Sequence, residues 1–154
     1  MNKYKKNYKL SDETKTTPEG VVLHRVVATK TFTLASGKTI NAGDVGGWIE
    51  NESNLSDNAW VSDNAQVYGN AKVSGNALVS GNAKVYGKAK VSGNALVFGD
   101  ALVSGDAQVS GNAKVYGDAK VTGKAKVTGK AQVAGKAQVS GYAFVSGDAI
   151  VSGE

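Results

Sequence analysis

Ala83-Lys-Val-Tyr-Gly-Lys-Ala-Lys-Val-Ser-Gly-Asn94 contains two passes of a six-residue phrase, Ala-x-Val-x-Gly-(Asn/Asp/Lys), that fills most of this 154-residue chain. Valine recurs at every sixth position from Val61 to Val151, and alanine precedes each valine by two residues. Glycine follows each valine by two residues except at the first repeat, where Asp63 stands. A fixed period of this length is typical of a solenoid, and one aliphatic and one small residue per phrase predict a parallel β-helix.

The geometry of a strand explains why these residue types recur. Successive side chains alternate between two faces, so alanine and valine point inward while the residues on either side of valine point outward. Glycine supplies the positive φ that a tight corner needs, and Asn or Asp tolerates it best among the other residues. Three phrases form one triangular coil, and we expect about five to six coils stacked ~4.8 Å apart as a parallel sheet.

This pattern resembles the hexapeptide-repeat superfamily, in which an aliphatic residue is followed four positions later by a small one. The resemblance covers residues 55–154. It implies an all-β fold, a left-handed parallel β-helix solenoid, and the left hand is an implication of the resemblance alone. Many members of the superfamily are acyltransferases, so the resemblance also raises that activity.

The segment ahead of the repeats carries a second resemblance. Tyr8-Lys-Leu-Ser-Asp-Glu-Thr14 and Gly43-Asp-Val-Gly-Gly-Trp-Ile-Glu50, followed by Asn-Ala-x-Val phrases, resemble a group of uncharacterised bacterial, phage and prophage proteins. The resemblance implies this architecture and a mobile-element setting, and it implies no activity.

Residues 1–54 do not share the repeat, and we expect them to form a small N-terminal β cap. Val21–Leu34 is rich in β-branched residues and predicts one or two strands, Ala35–Lys38 a turn, and Thr39–Asn41 a return strand. Thr16–Gly20 predicts a loop. A cap has a physical reason, because an uncovered coil end exposes unpaired backbone groups that recruit other chains.

Histidine usage argues against catalysis. Acyl transfer on this fold uses a histidine general base near the acceptor, yet residues 55–154 contain none and the single histidine, His24, lies in the cap. One histidine cannot supply the three imidazoles of a zinc enzyme site on this fold. The sequence therefore predicts a non-enzymatic protein with no catalytic residues, no cofactor and no metal site.

The cysteine content and the hydropathy of the chain indicate its cellular compartment. The chain has no cysteine, which excludes disulfides and fits a reducing compartment. It has no apolar run of membrane-spanning length, and its first six residues lack the apolar core of a secretory signal. We expect a cytoplasmic protein without a membrane partner.

The outward positions sort into three faces, one of which is apolar and begins with Trp60. We expect neighbouring coils of this face to make a contiguous exposed patch, or alternatively to shield one another. The last coil also places large apolar residues outward. The predicted interface consists of Leu78, Leu96, Phe98, Tyr116, Tyr142, Phe144 and Ile150.

Charge adds one further expectation. The formal net charge is +5, and a girdle of lysines surrounds the later coils: Lys114, Lys120, Lys124, Lys126, Lys130 and Lys136. A nucleic-acid site concentrates its charge in one stripe or groove with stacking aromatics, so this arrangement favours solubility over nucleic-acid binding.

These observations favour a rigid module that binds another protein. One version, motivated by the phage-like resemblance, is an inhibitor that docks a flat face onto a host enzyme such as a bacterial defence nuclease. A second version is a self-assembling structural protein that forms homo-oligomers through its C-terminal coil edge. An acyltransferase is the third and least favoured.

Overall fold

The computed structural model describes residues 7–153, and within this range the chain is all-β apart from one short 3₁₀ turn. The first strands are β1 Tyr8–Thr16, β2 Val22–Ala28, β3 Phe32–Thr33, β4 Thr39–Ile40 and β5 Val45–Ile49, followed by the 3₁₀ turn Glu52–Asn54. Every later strand falls on the Val positions of the repeat.

Three parallel sheets form the sides of the solenoid. The first face contains β7 Gln66–Val67, β10 Lys84–Val85, β13 Leu102–Val103, β16 Lys120–Val121 and β19 Gln138–Val139. The second face contains β8 Lys72–Val73, β11 Lys90–Val91, β14 Gln108–Val109, β17 Lys126–Val127 and β20 Phe144–Val145. The third face contains β6 Trp60–Val61, β9 Leu78–Val79, β12 Leu96–Val97, β15 Lys114–Val115, β18 Gln132–Gly135 and β21 Ile150–Gly153.

Each repeat strand pairs in parallel with the strand three phrases away. Val85 lies opposite Val67 on one side and Val103 on the other, so identical positions of successive coils stack directly. This register confirms the predicted parallel β-helix of about six coils. The hand of its crossovers stays a prediction.

The core is a stack of the repeated valines and alanines. From Ala65 to Val133 every one of these side chains is fully buried. Burial decreases in the last coil, where Val145 and Val151 are half-buried and Ala143 and Ala149 are exposed. The core of the described solenoid is therefore fully buried in the middle coils and partly exposed to solvent in the last coil.

The first coil explains why Asp63 interrupts the glycine column. Asp63 has a φ of 57° and its Oδ2 accepts the Gly81 amide at 3.1 Å. Asp57 does the same for Gly75 at 3.0 Å, and Glu50 Oε1 accepts the Gly69 amide at 2.8 Å. Acidic side chains thus accept the corner amides of Gly69, Gly75 and Gly81 near the start of the solenoid.

The cap continues the first face. β1, β2 and β5 form antiparallel pairs, and β5 joins the solenoid in parallel with β7, Trp48 lying opposite Gln66. The predicted strands, turn and return strand between residues 21 and 41 are confirmed. The division of the chain after residue 54 stays a prediction, since β5 is already continuous with a solenoid sheet.

Two strands of the cap were not predicted from the sequence. β1 is largely polar, and β5 contains Gly46 and Gly47, a pair of residues more typical of turns than of strands. These glycines serve packing, because a Cβ at Gly47 would lie 2.7 Å from the Ala65 carbonyl oxygen. Close approach of two backbones, rather than chain reversal, explains this Gly-Gly pair.

Two contacts fasten the cap to the first coil. The buried Tyr8 hydroxyl lies 2.7 Å from the Leu55 carbonyl oxygen, and burial, followed by the Glu52 charge, raises the pKa of Tyr8. On the third face, Phe32 packs edge-on against Trp60 with ring centroids 5.8 Å apart. Trp60 was expected on the exposed apolar face, but the β3–β4 hairpin buries it.

Candidate interaction surface

The apolar residues of the third face lie on neighbouring rungs, as the repeat predicts. Leu78 pairs with Leu96, and the Phe98 and Tyr116 rings stack with centroids 4.9 Å apart and planes 1° apart. The Tyr116 hydroxyl also donates to Gln132 Oε1 at 3.2 Å. The outward side chains of this face therefore contact one another along the column.

Their exposure differs from the expectation of a free patch. Leu78, Leu96, Phe98 and Tyr116 are all half-buried, and Leu78 packs against the core. Leu96 lines an open depression together with Ala35 and Ser36 of the β3–β4 turn. The close spacing of the coils makes mutual shielding, the alternative raised from the sequence, the better description of this face.

The last coil presents the remaining three predicted residues to solvent. Tyr142 is 82% exposed, Phe144 66% and Ile150 69%. Tyr142 occupies the corner between β19 and β20, while Phe144 and Ile150 stand one residue before the inward valines of β20 and β21. Phe144 lies on the second face and Ile150 on the third, so the three side chains are spread around one coil. We call these three side chains the last-coil patch.

Lysines border this patch. Lys124 Nζ lies 5.4 Å from the centroid of the Tyr142 ring, and Lys126 is the register partner of Phe144 on β17. Neither lysine forms an ion pair within residues 7–153, where the single ion pair joins Arg25 and Glu13. Lysines without an ion pair therefore stand beside Tyr142 and Phe144, while Asp148 lies between Phe144 and Ile150 along the chain.

The last coil also carries a free backbone edge. The amides of Lys126 and Gln132 donate to the carbonyl oxygens of Ala143 and Ala149, both at 2.9 Å. The amides of Phe144 and Ile150, which occupy the equivalent positions one coil later, have no acceptor in the described part of the chain. Such an edge can pair with another strand.

The remaining chemistry-bearing residues lie apart from the patch. His24 is a half-buried residue of β2, opposite Ile49. Across residues 7–153 no group of three or more His, Cys, Asp or Glu side chains is placed to hold a metal ion. No helix in the same range is long or apolar enough to cross a bilayer.

The first face carries a cluster that the sequence did not reveal. Lys15 Nζ and Arg25 Cζ lie 4.7 Å and 4.9 Å from the centroid of the Trp48 ring. These residues come from β1, β2 and β5, and sequence reasoning missed them because β1 and β5 were not recognised as strands. Tyr68 and Tyr86 stack on the same face, with ring centroids 5.2 Å apart.

Comparison with known proteins identifies the repeat. Residues 65–77, 71–87, 89–105 and 107–123 match the family model described as YdcK Beta solenoid repeat. These segments lie within the solenoid and cover less than half of the chain. No curated protein matches the chain. Together with the stacked coils, the family match shows a hexapeptide-repeat β-solenoid protein.

Proposed function

We propose that this hexapeptide-repeat β-solenoid is a non-enzymatic, rigid protein-binding module that docks through its last-coil patch. The observation that carries the proposal is the exposure of Tyr142, Phe144 and Ile150 on a single coil. Single exposed hydrophobic residues are ordinary, but three large apolar side chains exposed on neighbouring faces of one coil favour a partner that covers that coil.

The border of the patch favours a particular partner chemistry. Lys124 and Lys126 flank Tyr142 and Phe144 without acidic partners in the described residues. A partner with an apolar spot bordered by Asp or Glu would complement this charge and gain specificity from it. A second copy would bring lysines against lysines, so the charge favours a different protein over self-association through this patch.

The scaffold suits docking because it is already ordered. Successive coils pair in register and their valines and alanines fill the interior, so outward side chains have fixed spacing. Association costs less when the binding surface does not have to be ordered first. Rigidity is thus a direct contribution of the repeat to binding.

A more specific version of the proposal is an inhibitor of a host enzyme, such as a bacterial defence nuclease, encoded by a phage. It is supported by the resemblance of residues 8–14 and 43–50 to phage and prophage proteins, and by the exposed patch available for docking. Purified partner that loses its enzymatic activity on addition of this protein would support it, and a partner whose activity is unchanged would exclude it.

The proposal is tested with a patch variant and a matched charge control. Phe144→Lys with Ile150→Lys should weaken capture of a partner from a bacterial lysate at least about tenfold, because truncating central apolar contacts is the costliest change at an interface. Asn70→Lys with Gln108→Lys adds the same charge at exposed positions away from the last coil and should leave capture intact.

Both variants must keep the circular dichroism of the β-helix. Capture that survives the patch variant, or that falls equally in both variants, would contradict the proposed site. Quantitative mass spectrometry of the captured material provides the measurement.

Self-assembly is a second candidate, and the unpaired amides of Phe144 and Ile150 are the observation that favours it. Sedimentation velocity of the purified protein distinguishes the two candidates. A filament or a discrete oligomer that the patch variant dissociates would replace the first candidate with the second.

A further inference from the structure

A cluster of positive charge surrounds a buried indole on the first face. β1, β2 and β5 are adjacent strands, and Arg25 lies directly opposite Trp48. Lys15 Nζ and Arg25 Cζ both stand within 5 Å of the centroid of the Trp48 ring, at 4.7 and 4.9 Å. Trp48 is only 5% exposed beneath them.

The charges of this cluster are poorly balanced. Arg25 Nη1 lies 3.6 Å from Glu13 Oε2, and Glu13 is itself largely exposed. Lys15 has no acidic partner in the described part of the chain. Burial, then the nearby Arg25 and Lys84 charges, lower the pKa of Lys15. Lys15 and Arg25 therefore share the Trp48 ring with a single, loosely held carboxylate.

The indole N–H is the second observation. Trp48 Nε1 is buried and has no hydrogen-bond partner within residues 7–153. A buried indole N–H is normally paired, and an unpaired one calls for a water or an ion. Lys15 and Arg25 already contact the ring of Trp48, but the cluster offers the indole N–H no hydrogen-bond acceptor.

We infer that this cluster, made of Lys15, Arg25 and Trp48, binds an oxyanion: a carboxylate or a phosphate. Arg25 Nε donates to the Gly46 carbonyl oxygen at 2.9 Å and Nη1 lies 3.6 Å from Glu13 Oε2, which leaves Nη2 for the ligand. Guanidinium groups match the paired oxygens of carboxylate and phosphate, and a lysine ammonium adds a mobile point charge.

Lys15 is half-buried at the surface, and its long flexible side chain covers the indole. A bound oxyanion would accept from Trp48 Nε1 at the edge of the ring and from the Lys15 ammonium swung toward it, and its charge would offset the repulsion between Lys15 and Arg25. The site lies in the cap region, so it does not depend on the last-coil patch.

Nuclear magnetic resonance tests the inference directly, because the chain contains two tryptophans and hence two indole N–H signals. Labelled protein is titrated with potassium phosphate and, separately, with potassium acetate, while potassium chloride holds the ionic strength constant. We expect a saturable shift of one indole signal, assigned to Trp48 by its loss in Trp48→Phe.

Two matched variants define the site. Lys15→Gln should weaken the apparent affinity about tenfold or more, because it removes a charge-assisted hydrogen bond. Lys90→Gln removes the same charge from the second face and should leave the titration unchanged. The amide spectrum confirms that each variant is folded.

Saturation by phosphate alone identifies a phosphate site, and saturation by acetate alone identifies a carboxylate site. An unchanged Trp48 signal, a shift that chloride reproduces, or equal weakening by Lys15→Gln and Lys90→Gln would overturn the inference.

Discussion

At the scale of single residues, the alternation of inward and outward side chains decides what the chain tolerates. Val97 is completely buried and stacks between Val79 and Val115 of the neighbouring coils. Leu96, one residue earlier, points outward and is half-buried. Adjacent positions of one short strand thus have very different environments.

Aspartate at these two positions should separate them. Val97→Asp places a carboxylate in the apolar stack and should cost at least about 3 kcal/mol of unfolding free energy, because no partner is available there. Leu96→Asp should cost about 1 kcal/mol, since its carboxylate reaches water and the neighbouring Lys114. Chemical denaturation measures both, and equal losses would contradict the assigned orientation of the strand.

At the scale of the element, the corner glycines set the spacing of the coils. Gly93 has a φ of +65°, and a Cβ built there would lie 2.9 Å from the Gly111 amide nitrogen. Gly141 has the same φ, but a Cβ there would meet nothing within 4 Å. The repeated glycine therefore answers two requirements, a left-handed backbone and close contact with the next coil.

Alanine at each position separates these two requirements. Gly141→Ala should cost about 1 kcal/mol, the ordinary penalty of a left-handed L-residue. Gly93→Ala should cost a further ~1–3 kcal/mol, because backbone atoms of the next coil must shift to admit the methyl group. Thermal unfolding of the two variants gives the difference. Indistinguishable midpoints would show that backbone conformation alone selects glycine.

Elements differ in how well the sequence predicts them. The solenoid strands follow from the period, because every inward valine specifies a strand and every glycine a corner. β1 and β5 do not follow from the sequence because they lack the six-residue period and because a Gly-Gly pair such as Gly46-Gly47 is typical of a turn. The burial of Trp60 was missed for a related reason, since the hairpin that covers it is placed by tertiary contacts.

At the scale of the whole molecule, the two ends of the described solenoid differ. At the first coil, the cap packs on the solenoid, and the side chains of Glu50, Asp57 and Asp63 accept hydrogen bonds from corner amides. The last coil instead exposes Tyr142, Phe144 and Ile150 beside unpaired amides. The exposed side chains of the last described coil are why the proposed docking is placed there.

The candidate surfaces were only partly predictable. Outward placement of the last-coil patch follows from the repeat, and its exposure is what the structure adds. The shielding of Leu96 and Phe98 depends on contacts along a column, which the assignment of residues to faces does not contain. The Trp48 cluster depends on three strands meeting, two of which the sequence did not reveal.

Hydrogen–deuterium exchange, measured by mass spectrometry with and without the captured partner, tests the proposed function most directly. We expect the partner to slow exchange in peptides covering residues 138–152 and to leave peptides covering residues 84–103 unchanged. Slowed exchange around Leu96 and Phe98, with the last coil unaffected, would contradict it.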